Sequence, residues 1–334
     1  MKGNYRIGVV IPARNEEKHL RQVIETLPDF VDAAIVVNDG SSDGTKDLLS
    51  DFLESERIHT LDLPGNGVGA AIDAGHQYLL ELWDEHEFIS VVMAGDGQMN
   101  PDDMEHLIHP IVEGRCEYVK GDRFVHAKGV QAMPKYRKRA SRILSLFTTL
   151  ASGQDVSDPQ CGYTATKCEI LRQWNWKKSW KGYGYPNYWI IQLSRLGFRI
   201  AHAPVESIYG SQTSGIRRMP FFFKVGTMMA VEHHKRNISW ILSNRITPHT
   251  IFAAIAYGIG WAALLPGIST DIERELVGRG IAPVFITFAA WAVAHVFDKG
   301  ATRTVQELRL NAKARQKAEA KKGACPAYSD CQQT

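Results

Sequence analysis

Several short stretches of this 334-residue chain carry residue types that can do chemistry. Asp39 ends an apolar run in VVNDGSSDGT. There a carboxylate can accept hydrogen bonds from a base imide or ribose hydroxyls, and the turn beyond it enters a helix N-terminus that favours anions. Asp96 ends another apolar run in VVMAGDGQMNPDDM, two residues before Gln98. One carboxylate and one amide oxygen, with water and substrate phosphates, can complete an octahedral Mg2+ or Mn2+ site. Glu16 sits in the first helical turn after IPARNEE. Arg123 follows a third run in KGDRF, and PKYRKRASR supplies Arg137, Arg139 and Arg142. Guanidinium forks of this kind suit a phosphate in a way Lys cannot copy.

These residues need elements that bring them together. Short β-branched runs read as buried parallel strands at Ile7–Ile11, Ala34–Val37, Ile58–Leu63, Phe88–Met93 and Tyr118–Lys120. Helical patterns lie between them at Glu17–Leu27, Thr45–Leu53, Val68–Leu82 and Pro101–Glu113, the last capped by Asn100. Asn15 can cap the first. This alternation predicts a doubly wound α/β sheet, Rossmann-like and mostly parallel, with ligands beyond the carboxyl ends of the strands. Gly65-x-Gly67-x-x-Ala70 fits a dinucleotide fingerprint on paper. It opens the third strand–helix unit rather than the first, and its next acid, Asp96, comes too late for a ribose-binding acid. A basic amphipathic helix is expected over Pro134–Ser152, then the loop GQDVSDPQCGYTA, a Trp-rich stretch, a helix after Pro186 and a strand at Phe198–Ala203.

Composition excludes two classes. Lys and Arg total 39 against 36 Asp and Glu, a formal net charge of +3, which argues against a nucleic-acid binder working by bulk charge and against an acidic disordered tail. The mean hydropathy of −0.21 is that of an ordinary soluble enzyme. The average hides two charge-free stretches, 246–270 and 280–297. They predict a two-helix transmembrane hairpin over 246–297, with spans at about 249–267 and 281–297, each near the hydrocarbon thickness. Residues 219–245 mix Phe, Met and Trp with Lys, Arg and His and read as amphipathic interface helices. Residues 298–334 form a basic tail, and the positive-inside rule places that tail and the N-terminal domain (1–218) in the cytosol. The N-terminal segment has no signal-peptide pattern, and the five cysteines read as free thiols.

In this order, IPARNEE, VVNDGSSDGT, GNGVGAAIDAG and AGDGQMNPDD resemble the family 2 glycosyltransferases with a GT-A nucleotide-sugar fold. KGDRF, the Arg-rich helix, DPQCGYTA and the hydrophobic hairpin are similar to the polyprenyl- or dolichyl-phosphate sugar synthase branch. The resemblance implies nucleotide contacts at Pro12, Ala13, Glu16, Asp39 and Asp96. It implies a metal site at Asp96 and Gln98, with Ala94 standing where the family has a further Asp, so that metal dependence is open. It implies acceptor contacts at Arg123, Arg137 and the loop Asp158–Ala165, including Gly162 and Tyr163, and Arg217 joins them from SQTSGIRR.

Family members that attack with a hydroxyl place a Glu-Asp pair at the head of a late helix, where this chain has Asn187 and Tyr188. A hydroxyl nucleophile needs a base, whereas a phosphate monoester is already an anion near neutral pH. The expectation is therefore an inverting transfer from a UDP- or GDP-linked sugar to a polyprenyl phosphate at a membrane, with Asp96, Arg123 and Arg137 as catalytic residues. Two alternatives stay open: transfer to a hydroxyl with Asp158 as base, and a non-catalytic nucleotide-sugar-binding membrane protein. The sequence names neither the sugar nor the nucleotide, and a homo-oligomer is allowed by it rather than required.

Overall fold

The computed structural model describes residues 3–126, 130, 133–208, 218–243, 245–276 and 281–323. They fall into two compact units, Met1–Leu193 with Phe198–Lys235, and Ser194–Gly197 with Arg236–Thr334.

The first unit is built on seven strands: β1 (Arg6–Ala13), β2 (Ala33–Asp39), β3 (Ile58–Leu63), β4 (Phe88–Val92), β5 (Tyr118–Asp122), β6 (Thr164–Lys167) and β7 (Ile200–Pro204). Their order in the sheet is β3-β2-β1-β4-β6-β5-β7. Sequence order reverses between β1 and β4, and a crevice opens at such a switch point. The sheet is mixed rather than wholly parallel: β6 runs antiparallel to both β4 and β5. The sequence reading places its first two residues, Thr164 and Ala165, in the acceptor loop and expects no strand here, because so short a run carries no period.

Among the described residues eight helices accompany the sheet: α1 (Leu20–Glu25), α2 (Thr45–Ser50), α3 (Val68–Leu82), α4 (Met104–Val112), α5 (Lys135–Ser152), α6 (Cys168–Arg172), α7 (Tyr185–Leu196) and α8 (Arg218–Ile241), the last two running on into the second unit. On one face Ile7, Val9 and Ile11 of β1 meet Leu20 and Val23 of α1 and Leu107 and Ile111 of α4 in a single buried cluster. On the other, α3 lies so close to β1 that a Cβ on Gly75 would come within 2.3 Å of Val10. Asn15 does not cap α1. It adopts a left-handed conformation (φ 59°), and its Oδ1 accepts from the Ser42 N–H at 2.8 Å, tying the tip of β1 to the tip of β2. Asn100 does cap the turn at Pro101–Asp103, accepting from the Asp102 N–H. Cys116, Cys161 and Cys168 are free and buried.

The second unit holds α9 (Pro248–Ala263), α10 (Pro266–Leu276) and α11 (Ala282–Gly323), together with the last turns of α8. α9 and α11 pack closely: Gly260 has no room for a Cβ against Trp291, and Gly300 none against His249. Arg236, Asp298 and Thr302 form a buried polar cluster there, the guanidinium lying 4.8 Å from the Trp240 ring. Within α11, the helix Ala282–Gln316 is long and apolar enough to cross a membrane. Pro248–Ala263 and Pro266–Ile272 pass the same test only together, and they are bent by 84° at the break. The described residues therefore hold one such helix, or two if the bent pair is one span. The straight first span expected over 249–267 is interrupted where Pro266 withdraws a backbone donor.

Candidate active site

The strand tips place the expected nucleotide residues side by side. Pro12 and Ala13 end β1 opposite Val37 and Asn38 of β2, and the Pro12 carbonyl accepts from the Gly95 N–H at 3.2 Å. Asp39 is buried, and both its carboxylate oxygens are engaged, accepting from the Asn66 N–H at 2.7 Å and the Gly67 N–H at 2.8 Å. It thus organises the β3–α3 loop as well as ending β2. The left-handed Gly40 (φ 67°) lets that loop approach, since a Cβ there would come within 2.8 Å of the Gly65 nitrogen.

Glu16 and Asp96 sit on either side of the switch point. Burial pushes the Glu16 carboxyl up to about 7, and repulsion from Asp96 and then Asp43 adds to it. Burial also raises Asp96 above its ordinary value, against the Gln98 N–H that donates to it at 3.0 Å and the nearby charges of His19 and Arg137. A buried carboxylate beside a second one that raises its proton affinity forms a place where a cation relieves repulsion. Among the described residues no three His, Cys, Asp or Glu side chains converge as a metal cluster. The donor set still fits Mg2+ or Mn2+, which bind through one or two carboxylates and fill their other positions with water and phosphate oxygens.

A cavity of about 280 Å3 lies beside these tips and draws together Asp96, Gln98, Arg123, Arg137, Gly162 and Tyr163. Arg217 lies outside the described residues. Glu16, Asp39, Pro12 and Ala13 do not line this cavity and belong to the neighbouring strand tips.

The acceptor side has its own electrostatics. Arg123 donates from Nε to Asp158 at 2.7 Å and from Nη2 at 2.9 Å, a two-pronged pairing, and its backbone N–H reaches the same carboxylate at 3.2 Å. Asp158 is fully buried. Burial disfavours its ionised form, but the Arg123 hydrogen bonds and charge, with Lys120, outweigh that and hold the carboxyl below its ordinary value. Beneath them Lys120 is completely buried, donates to the Cys161 carbonyl, and is pulled below its ordinary value by burial. Asp122 accepts from the Phe124 N–H at 2.9 Å and from the Ser157 hydroxyl, which pins the loop before β6 onto β5.

At the head of α7, Asn187 is fully buried and joins Gln160 to Thr148 by hydrogen bonds of 2.5 and 2.7 Å. The Tyr188 hydroxyl donates to the Lys178 carbonyl at 2.7 Å. The segment before α7 is clamped onto α3: Asp73 accepts from Lys181 at 2.6 Å, from Ser179 at 3.0 Å and from the Tyr185 hydroxyl at 3.3 Å. That brings Tyr183 and Tyr185 to the cavity wall.

The sequence reading includes Gln160 only as part of the loop Asp158–Ala165, without singling it out, and misses Glu206, which also lines the cavity, and Lys120, which supports it. Lys120 had a signal, a charge inside an apolar strand. Glu206 follows β7 in a turn that carries no pattern.

Comparison with known proteins identifies the family. A family model described as glycosyl transferase family 2 matches residues 8–174. A UDP-N-acetylglucosamine–dolichyl-phosphate N-acetylglucosaminyltransferase of Methanococcus voltae is 30% identical over 218 residues, covering 61% of this chain and 86% of that protein. An undecaprenyl-phosphate mannosyltransferase of Micrococcus luteus is 29% identical over 208 residues, covering 61% and 84%. Among solved structures, glucosyl-3-phosphoglycerate synthase of Mycobacterium tuberculosis with Mn2+, UDP and phosphoglyceric acid is 20% identical with a TM-score of 0.48, over 70% of this chain and 78% of that one. With the family model spanning the strands, tips and loop that build the site, the chain belongs to glycosyl transferase family 2 and is a glycosyltransferase.

Proposed function

We propose that this glycosyltransferase moves a sugar from a nucleotide-sugar donor to a polyprenyl phosphate at a membrane, by single displacement with inversion at the anomeric carbon. The observation that carries the reading is the head of α7, where a buried amide, Asn187, replaces the carboxylate a hydroxyl acceptor would require. Asp158 is a poor substitute, because its pairing with Arg123 keeps it ionised and occupied. A phosphate monoester arrives already charged, so the site needs cations to hold it, and Arg123 and Arg137 line the cavity. Both relatives named above act on a lipid phosphate, by their names.

In this mechanism Asp39, Pro12, Ala13 and Glu16 hold the nucleotide at the β1 and β2 tips. Asp96 and Gln98, with Glu16 beside them, would hold Mg2+ or Mn2+; when bound, the ion neutralises charge on the departing nucleoside diphosphate. Arg137 and Arg123 orient the acceptor phosphate, Arg123 being fixed in turn by Asp158. Gly162 and Tyr163 form the adjoining wall, and Arg217 completes the acceptor contacts.

Membrane contact is supported by α5 and by the second unit. α5 contains no acid, five Lys and Arg residues, and an exposed row of Tyr136, Ile143, Leu146, Phe147 and Leu150. Such a helix suits an anionic interface. In α9 and α11 the exposed residues include Phe252, Ile255, Phe285, Phe288 and Val296. We read the two helices as membrane-spanning, with residues 219–245 at the interface and both the catalytic domain and the tail in the cytosol.

The test uses membranes carrying the full chain, radiolabelled UDP-glucose, UDP-N-acetylglucosamine and GDP-mannose, and short polyprenyl phosphates. Label in an acid-labile lipid is the expected result, and EDTA should diminish it. Glu206 sharpens the outcome, since with Asp96 it is one of two carboxylates lining the cavity among the described residues. Glu206→Gln should keep transfer to lipid phosphate within a few-fold. Transfer to a sugar hydroxyl, abolished by Glu206→Gln, would overturn the reading.

A further inference from the structure

Gln160 lines the cavity, and the direction of its amide follows from its neighbours. The Thr148 hydroxyl lies 2.6 Å from the Leu144 carbonyl and 3.5 Å from the Met229 sulfur, neither of which has a hydrogen to give, so the hydroxyl donates to them. Its oxygen can then only accept from Asn187, 2.7 Å away. The Asn187 atom facing it is therefore nitrogen, and the same atom lies 3.8 Å from the Met229 sulfur, another group without a donor. Asn187 Oδ1 is left facing Gln160 at 2.5 Å and must accept from its Nε2. The remaining end of the amide, Gln160 Oε1, has no hydrogen-bond partner among the described residues. Thr148 and Asn187 are both fully buried, so the chain of bonds is shielded from water and holds one direction.

We infer that Gln160 is a sugar-selecting residue: its Oε1 accepts a hydrogen bond from a hydroxyl or amide N–H on the ring of the transferred sugar, with Asn187 and Thr148 as positioning residues. A carbonyl oxygen repels phosphate oxygens, so Oε1 cannot serve the acceptor phosphate or the nucleotide diphosphate. Those groups have Arg123 and Arg137 and the strand-tip site. A sugar ring brings the donors that a fixed acceptor can discriminate, and sites built around such a bond reject analogues that lack it. This rests on the cavity being the transfer site proposed above.

The experiment measures steady-state kinetics of the full chain in nanodiscs. Of UDP-glucose, UDP-N-acetylglucosamine and GDP-mannose, the donor that is turned over is followed by its analogues lacking one ring donor each. In the wild type one analogue should cost about tenfold in kcat/KM, the scale of one neutral hydrogen bond. Gln160→Met should raise KM for the parent donor about tenfold, leave kcat and the KM for polyprenyl phosphate within twofold, and lose discrimination against that one analogue. Its affinity for the free nucleoside diphosphate, measured by calorimetry, should not change. Thr148→Val removes the acceptor that orients Asn187, and should weaken the same discrimination without moving the polyprenyl-phosphate KM. It is the deciding variant if Gln160→Met fails to fold. Full discrimination retained in the variant that folds, or equal losses for sugar, nucleotide and lipid, would overturn the inference. If transfer instead goes to a hydroxyl, the acceptor reading fails, while discrimination between donor analogues is still measured and tests Gln160 separately.

Discussion

The two ends of the site solve the problem of buried charge in opposite ways. At the tips of β1 and β4, burial raises the proton affinity of both Glu16 and Asp96, and repulsion from Asp96 raises Glu16 further. At the end of β5, Asp158 is already neutralised by the two-pronged Arg123 pairing, with Lys120 buried beneath. The first end is built to gain a ligand that changes its charge. The second is built to hold its shape, so that a phosphate meets groups already in place. Donor chemistry and acceptor geometry are thereby separable by mutation.

The largest effect should come from the donor end. Asp96→Ala should lower transfer by about a thousandfold or more, as expected when a charge-stabilising group is lost, with the fold intact by thermal unfolding. Loss of stability in place of activity would erase the contrast. At the acceptor end the order reverses: Asp158→Ala leaves Arg123 and Lys120 as buried cations and should destabilise the protein by about 3–5 kcal/mol in urea unfolding. Arg123→Lys keeps the charge but loses the fork, and should cost about tenfold to a hundredfold in kcat/KM for the lipid phosphate. Glu16→Gln should raise the Mn2+ concentration for half-maximal activity about tenfold, leaving the polyprenyl-phosphate KM unchanged.

The smallest effect is in pH, with opposite signs at the two ends. Glu16 binds its proton more tightly folded than unfolded, so its stabilisation is complete below its ordinary value of 4.5 and is lost as pH rises to about 7. Glu16→Gln should remove that loss, amounting to no more than about 1 kcal/mol at a partly exposed position. Asp158 is lowered, so its contribution is complete above 3.8 and is lost only as pH falls through its still lower folded value. The stability difference between wild type and Asp158→Asn should stay flat from pH 8 to 5, as read by urea unfolding.

Local patterns made much of this legible. Apolar strands, their acidic tips and the capped turn at Asn100 depend on neighbours in sequence, and they appear where the pattern puts them. What escaped depends on distance along the chain. Arg123 and Asp158 are 35 residues apart, and nothing near either announces that one holds the other. Asp39 is a recognisable strand-tip acid, yet its grip on the Asn66 and Gly67 amides needs the loop to fold back. β6 is four residues long, too short for a period, and Gln160 looks like an ordinary loop residue until Asn187 arrives from another helix.

The reversed direction of β6 has an architectural consequence. In a parallel sheet the segment entering a strand lies at the end away from the ligands. Because β6 runs backwards between β4 and β5, its entering segment arrives at the ligand end instead. Arg137, Asp158, Gln160 and Gly162 thus all come from one continuous insertion between β5 and β6. The nucleotide-holding strand tips and this insertion are separate stretches of one domain, and exchanging residues 123–163 would change the acceptor contacts together with the sugar contact proposed for Gln160.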